Sequence, residues 1–138
     1  MVKMEVSYEG GLRCRATHGP SATELVTDAP TDNQGKGESF SPTDLVATAL
    51  ATCMLTTMGI VAERHGWDIT GSTGSVEKGM VADPVRRIGT LTVVLKMAGT
   101  HDERARTTME RAATTCPVHK SMGAGVEMPV RVEWDGVG

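Results

Sequence analysis

The chain has 138 residues, 39% of them hydrophobic, and sets 14 basic side chains against 17 acidic ones for a net charge of -3. That length is one domain by the usual size prior, here residues 1–138, and the acidic balance leaves no basic footprint for nucleic acid. With only Tyr8, Phe40, Trp67 and Trp134 as aromatics, stacking platforms for single-stranded bases are lacking. The core is expected to be aliphatic, with nine methionines as adaptable filler.

In chain order, residues 2–8 alternate like a strand, so no signal peptide is expected there. Gly10 and Gly11 make a tight turn, 12–17 run back, His18-Gly19-Pro20 turns again, and 23–27 form a third strand. Residues 29–39 are a polar loop with Pro30, Asn33, Gly35 and Gly37, long enough to be functional. Next comes a helix over about 42–65, which Gly66 stops. Ser41 can cap it, Pro42 suits its first position, and Asp44 sits where a capping-box acid belongs.

Two long strands are expected at 67–80 and 86–98, turned by Ala82-Asp83-Pro84, with Gly89 as a bulge position. Thr100 and Glu103 frame a capping box for a helix to about Thr114. Cys116-Pro117 restarts a short helix that ends near Gly123 or Gly125, and 126–134 is a closing strand. The order β-β-β-α-β-β-α-α-β is an α+β arrangement with antiparallel sheet.

From Leu45 to Ala62 no residue is charged. A helix of that kind is expected to be buried on nearly every side. Its length also raises a membrane span. Thr48, Thr52, Thr56 and Thr57, flanks without basic bias and the lack of a second span argue against one. Cys14, Cys53 and Cys116 are odd in number and widely spaced, unlike a secreted disulfide framework, so a cytoplasmic, reducing setting is expected.

Cys53 sits near the middle of the uncharged helix, among Ala49, Leu50, Thr56 and Thr57 at helical spacing. It is either inert packing or a shielded nucleophile. Cys116 stands at a helix start, where free N–H groups and the helix dipole favour a thiolate, with His119 three residues on. It too has a bland reading, as a mere cap beside a surface histidine. Cys53, Cys116 and His119 could be three zinc ligands, but no clear fourth is present. Gly35-Lys36-Gly37-Glu38 lacks the spacing of a phosphate loop. Cys14, between Arg13 and Arg15, reads as structural.

Ser41-Pro42 with an acid close behind, an alanine-rich helix and then Cys53 resembles the start of the central helix in the OsmC/Ohr family, the osmotically inducible and organic-hydroperoxide-resistance proteins. Thr115-Cys116-Pro117-Val118-His119-Lys120-Ser121 resembles that family's second cysteine motif, and the element order agrees along the chain. The resemblance implies an OsmC-like fold: antiparallel sheets around a long buried central helix, in an intertwined homodimer with active sites at the subunit interface. It implies a thiol peroxidase without metal, haem or other cofactor, acting on apolar organic hydroperoxides and recycled by a dithiol reductant. Cys53 becomes the peroxidatic thiol, and Cys116 the resolving thiol that forms a disulfide with it.

The family's peroxidases carry a glutamate ten residues before the helix cysteine, steadying an arginine that activates the thiol. Here Thr43 stands at that place and Asp44 one residue later, as in an OsmC-like branch. The arginine's nearest match after Gly10-Gly11 falls on Leu12, with Arg13 and Arg15 beside it. The rival reading is a redox-sensing or small-ligand-binding module on the same fold, without efficient turnover. A cation such as Arg13, Arg15, Lys120 or His119 near Cys53 would separate the two.

Overall fold

The computed structural model describes residues 1–136. Its contacts divide the chain into two compact units, residues 1–46 and residues from 47 onward.

The first unit is a three-stranded antiparallel meander of β1 (Met4–Gly10), β2 (Arg13–His18) and β3 (Glu24–Asp28) in sheet order β1-β2-β3. Gly10, Gly11 and Leu12 all take positive φ, at 82°, 60° and 63°, which lets β1 reverse into β2. For Leu12 that conformation is strained, since its Cβ crowds the backbone there. Glu9 is left unpaired where the β1–β2 register shifts between Tyr8 and Gly10. A short 3-10 turn, Thr31–Asn33, interrupts the polar loop that follows β3.

Helix α1 (Pro42–His65) begins as the sequence indicates. The Asp44 carboxylate accepts from the Ser41 N–H at 2.9 Å, and Ser41 Oγ accepts from the Asp44 N–H at 3.1 Å. This reciprocal pair satisfies two of the donors that every helix start leaves open.

In the second unit, sheet order is β4-β5-β6, from β4 (Thr73–Val81), β5 (Arg87–Met97) and β6 (Val130–Trp134). Strands β4 and β5 are antiparallel, and Gly89 is the bulge residue skipped between the pairs Gly79–Thr90 and Met80–Ile88. A Cβ on Gly89 would lie 2.6 Å from a Val81 methyl, so glycine suits the bulge. Strand β6 runs parallel to β5, which corrects the expectation of antiparallel sheet. The reason is the connection: helices α2 (Glu103–Ala113) and α3 (Pro117–Ser121) carry the chain back before it pairs, as parallel strands require.

Other boundaries shift for local reasons. Strand β4 starts at Thr73, because residues 67–72 are a turn in which the Asp68 carboxylate accepts from the Thr70 N–H and Ser72 Oγ donates to the Ile69 carbonyl. Helix α2 is capped by Asp102, whose carboxylate accepts from the Ala105 N–H at 2.8 Å, and not by Thr100. Helix α3 ends at Ser121, and residues 126–129 meet β5 only irregularly, through Glu127 and Pro129 carbonyls, before β6 begins.

The core of this unit joins Leu50, Met54, Met58 and Ala62 of α1 to Leu91, Val93, Leu95 and Met97 of β5 and to Ala105, Met109 and Ala113 of α2. It is aliphatic and methionine-rich, as the composition indicates. Helix α1 is not buried all round within one chain. Val46, Thr52, Thr56 and Ile60 stay exposed, because a three-stranded sheet covers one face of a helix only. Length and apolarity would let α1 cross a membrane, yet Leu50, Met54, Met58 and Ala62 on one face of it form this core.

Candidate active site

Cys53 lies midway along α1, half-buried, on the stripe Val46, Ala49, Cys53, Thr56 and Ile60. That stripe is turned away from the core stripe of Ala47, Ala51, Met54, Met58 and Ala62. Cys53 therefore packs against the edge of the core while keeping some exposure.

Cys116 is placed by the end of α2. The Thr115 hydroxyl donates to the Ala112 carbonyl at 2.7 Å, and the Cys116 N–H donates to the Ala113 carbonyl. Pro117 cannot continue α2 and instead opens α3, so Cys116 becomes the cap of α3 with extended backbone. Its sulfur accepts a hydrogen bond from the His119 N–H at 3.3 Å and is fully buried. His119 thus serves Cys116 through its backbone.

Cys53 is close enough to act electrostatically on Cys116, and both are free thiols. Burial pushes the Cys116 thiol above its ordinary value. The His119 N–H pulls the other way, and the Cys53 thiol adds to the rise. The expectation that the helix start makes Cys116 a ready thiolate is thereby overturned, because desolvation outweighs the N–H groups. Cys53 is the more accessible of the two thiols.

The supporting residues named from the sequence lie in the first unit. Thr43 shares a hydrogen bond with Ser41 at 3.1 Å, and Asp44 is engaged by the cap. Arg13 and Arg15 share one face of β2. The Arg13 guanidinium pairs with Glu38 at 3.2 Å, and Arg15 lies between Glu9 and Glu24 at 3.1 and 3.0 Å. Sequence reasoning missed these carboxylates. Glu24 was discoverable in principle, because it pairs with Thr17 in the β2–β3 register and so sits diagonally from Arg15. It also missed Asp28, the cross-strand partner of Arg13. Asp28 is buried, with one carboxylate oxygen accepting from the Glu38 N–H at 3.1 Å and the other unpartnered among the described residues.

Away from the thiols, a cavity of about 330 Å³ opens between α1 and the turn after it, lined by Leu55, Gly59, Glu63, Trp67 and Asp68 among others. Neither Cys53 nor Cys116 lines it. Among the described residues no three His, Cys, Asp or Glu side chains group as metal donors.

A family model described as OsmC-like protein matches residues 35–131, more than half of the chain and both cysteines of the pair. The chain belongs to the OsmC/Ohr family. Among solved structures, this OsmC-like chain is similar to a Psychrobacter arcticus 273-4 protein provisionally named for osmotic stress induction and a detoxification response. The two share 44% identity over 96% of each chain, at a TM-score of 0.91. An organic hydroperoxide resistance protein OsmC from Legionella pneumophila shares the fold at a TM-score of 0.77, with 16% identity over 96% of each chain. The organic hydroperoxide resistance protein OhrB of Bacillus subtilis shares it at 0.67, with 19% identity over 96% of this chain and 98% of that one. A search among curated protein sequences found no match.

Proposed function

We propose that this OsmC-like protein is a thiol-dependent hydroperoxide reductase. The observation that carries the reading is the pair itself: a half-buried thiol on α1 beside a fully buried one held by a backbone N–H. The Cys53 thiolate attacks the outer oxygen of a hydroperoxide ROOH. The O–O bond breaks, an S–O bond forms, and the alkoxide takes a proton and leaves as the alcohol. Cys116 then attacks the sulfenic sulfur, a disulfide forms, and the hydroxyl leaves as water. A dithiol reductant restores both thiols and departs as its own disulfide. Apolar surroundings of Cys53 favour organic hydroperoxides, and three free thiols suit a reducing, cytoplasmic compartment.

The functional unit in this reading is a homodimer. Its support is the exposed stripe of α1, where Val46 and Ile60 leave apolar surface around Cys53. A second copy covering that stripe puts the site at the subunit interface. Arg13 and Arg15 are the candidate activating cations, and Thr43 offers a neutral hydroxyl where a glutamate would bring a charge.

The second reading is a thiol sensor or small-ligand module with little turnover. It draws on Glu38, Glu9 and Glu24, which already compensate both arginines. Steady-state consumption of cumene hydroperoxide with a panel of dithiols separates the two. Sustained turnover that Cys53→Ser abolishes supports the reductase. A single stoichiometric oxidation that no dithiol recycles supports the sensor.

A further inference from the structure

Arg13 and Arg15 share a face of β2, yet they are held in different ways. Arg15 is committed between strands: its Nε pairs with Glu9 of β1 at 3.1 Å and its Nη1 with Glu24 of β3 at 3.0 Å. Arg13 meets a carboxylate through Nη1 alone, Glu38 at 3.2 Å, and Glu38 stands on the loop before α1. That loop is tied down from a buried root. Asp28, 1% exposed at the end of β3, accepts from the Glu38 N–H at 3.1 Å, and its own N–H donates to the Phe40 carbonyl at 3.0 Å. Between them Ser39 Oγ donates to the Val26 carbonyl at 2.6 Å. The Ala29 N–H donates to the Leu12 carbonyl at 3.2 Å and so pins the peptide that leads into Arg13. Leu12 is held at a φ of 63°, a conformation that persists where its neighbours over-determine it.

We propose, resting on the reductase reading above, that Arg13 is the activating cation and that Glu38 and Asp28 are its positioning residues. Asp28 fixes the backbone of 38–40, and the Glu38 carboxylate fixes the guanidinium. A buried carboxylate is costly unless its oxygens are used, and here one oxygen is used on the backbone of Glu38. Asp28 and Arg13 are also direct partners in the β2–β3 register, and Asp28 Oδ1 and Arg13 Nε are both buried without a partner among the described residues. Arg13 is thus sunk at its Nε and clamped at its tip. An arginine loses much rotamer freedom when it is brought to a thiolate, and a clamped one has lost part of it on folding. A single carboxylate contact also leaves N–H donors for a sulfur or a peroxide oxygen, whereas Arg15 has given both its Nε and Nη1 to glutamates.

The test reads the clamp and its consequence separately. Thermal melting of the full chain checks that each variant is folded. With isotope-labelled arginine, the Arg13 Nε–H signal is assigned by its loss in Arg13→Lys. Its exchange with water is expected to be about tenfold faster in Glu38→Gln and in Asp28→Asn, the scale of one charge-assisted hydrogen bond. Glu38 is more than half exposed, so Glu38→Gln leaves the core intact if Asp28→Asn does not fold. The pH midpoint of Cys53 alkylation by iodoacetamide and the first-turnover rate with cumene hydroperoxide are then read by peptide mass. Arg13→Ala should raise the midpoint by about one pH unit and slow the first turnover about tenfold at neutral pH. Glu38→Gln should fall between it and wild type, and should add nothing to Arg13→Ala, because it acts through Arg13. Wild-type Nε–H exchange in Glu38→Gln overturns the proposal. So does a wild-type midpoint in Arg13→Ala, a further loss on adding Glu38→Gln to it, or a larger loss in Arg15→Ala. A wild-type chain that never forms sulfenic acid at Cys53 overturns the reductase reading instead, while the exchange rates and alkylation midpoints still test the clamp.

Discussion

Cys53 and Cys116 are neighbours of unequal exposure: the Cys116 sulfur is fully buried under its own helix start, while Cys53 sits half-exposed on α1. Nucleophilic roles follow exposure and thiolate character. In the folded, reduced protein, iodoacetamide is expected to label Cys53 well before Cys116. Unfolding in urea should bring Cys116 to the rate of an ordinary thiol. Time-resolved peptide mapping checks this, and equal labelling of both in the native protein would count against the assignment of roles.

The buried thiol also makes stability depend on pH. Burial raises the Cys116 value in the folded state, so above the ordinary thiol value the unfolded chain releases a proton that the folded chain retains. Stability is therefore intact below about pH 8.5 and declines as pH rises through the folded value. The limiting slope for one proton is about 1.4 kcal/mol per pH unit. Urea titrations across the alkaline range should show the decline in wild type and a shallower one in Cys116→Ala.

The start of α1 rests on Ser41 and Asp44 together. Ser41→Ala removes the oxygen that accepts from the Asp44 N–H, and Asp44→Ala removes the one that accepts from the Ser41 N–H. Each is expected to cost about 1 kcal/mol. Because the two bonds form one reciprocal motif, the double variant should lose less than the sum. A denaturation cycle on the four proteins measures the coupling, and simple additivity would show the two caps to be independent.

A charge on the exposed stripe of α1 tests the dimer. Val46→Glu and Ile60→Glu replace side chains that are 36% and 46% exposed within one chain, so neither change opens the core. Light scattering should give twice the chain mass for wild type and one chain mass for the variants, with helical circular dichroism preserved. A monomeric wild-type protein at micromolar concentration would contradict the dimer.

What the sequence made legible was local. Pro42 and Gly66 bracket α1, and Ser41 and Asp44 form the cap that their three-residue spacing implies. Gly89 is the bulge, because the alternation of β5 breaks there. What it hid was set by chain path or by burial. The parallel pairing of β6 depends on where α2 and α3 return the chain, which no residue of 130–134 encodes. Thr100 and Asp102 both offer a capping oxygen, and only the helix phase chooses Asp102. The Cys116 environment was misjudged for the same kind of reason. The N–H groups at a helix start are visible in Cys116-Pro117, whereas the core that desolvates the sulfur is assembled from α1, β5 and α2. Glu9, Glu24 and Glu38 were hidden because strand register and loop path bring them to the arginines.

The central claim is that Cys53 and Cys116 form one redox pair, and treating the reduced protein with one equivalent of cumene hydroperoxide tests it most directly. Non-reducing peptide mapping is predicted to show a Cys53–Cys116 disulfide, with Cys14 still a free thiol. A sulfinic acid on Cys53 with Cys116 left free, or a disulfide that includes Cys14, would contradict it.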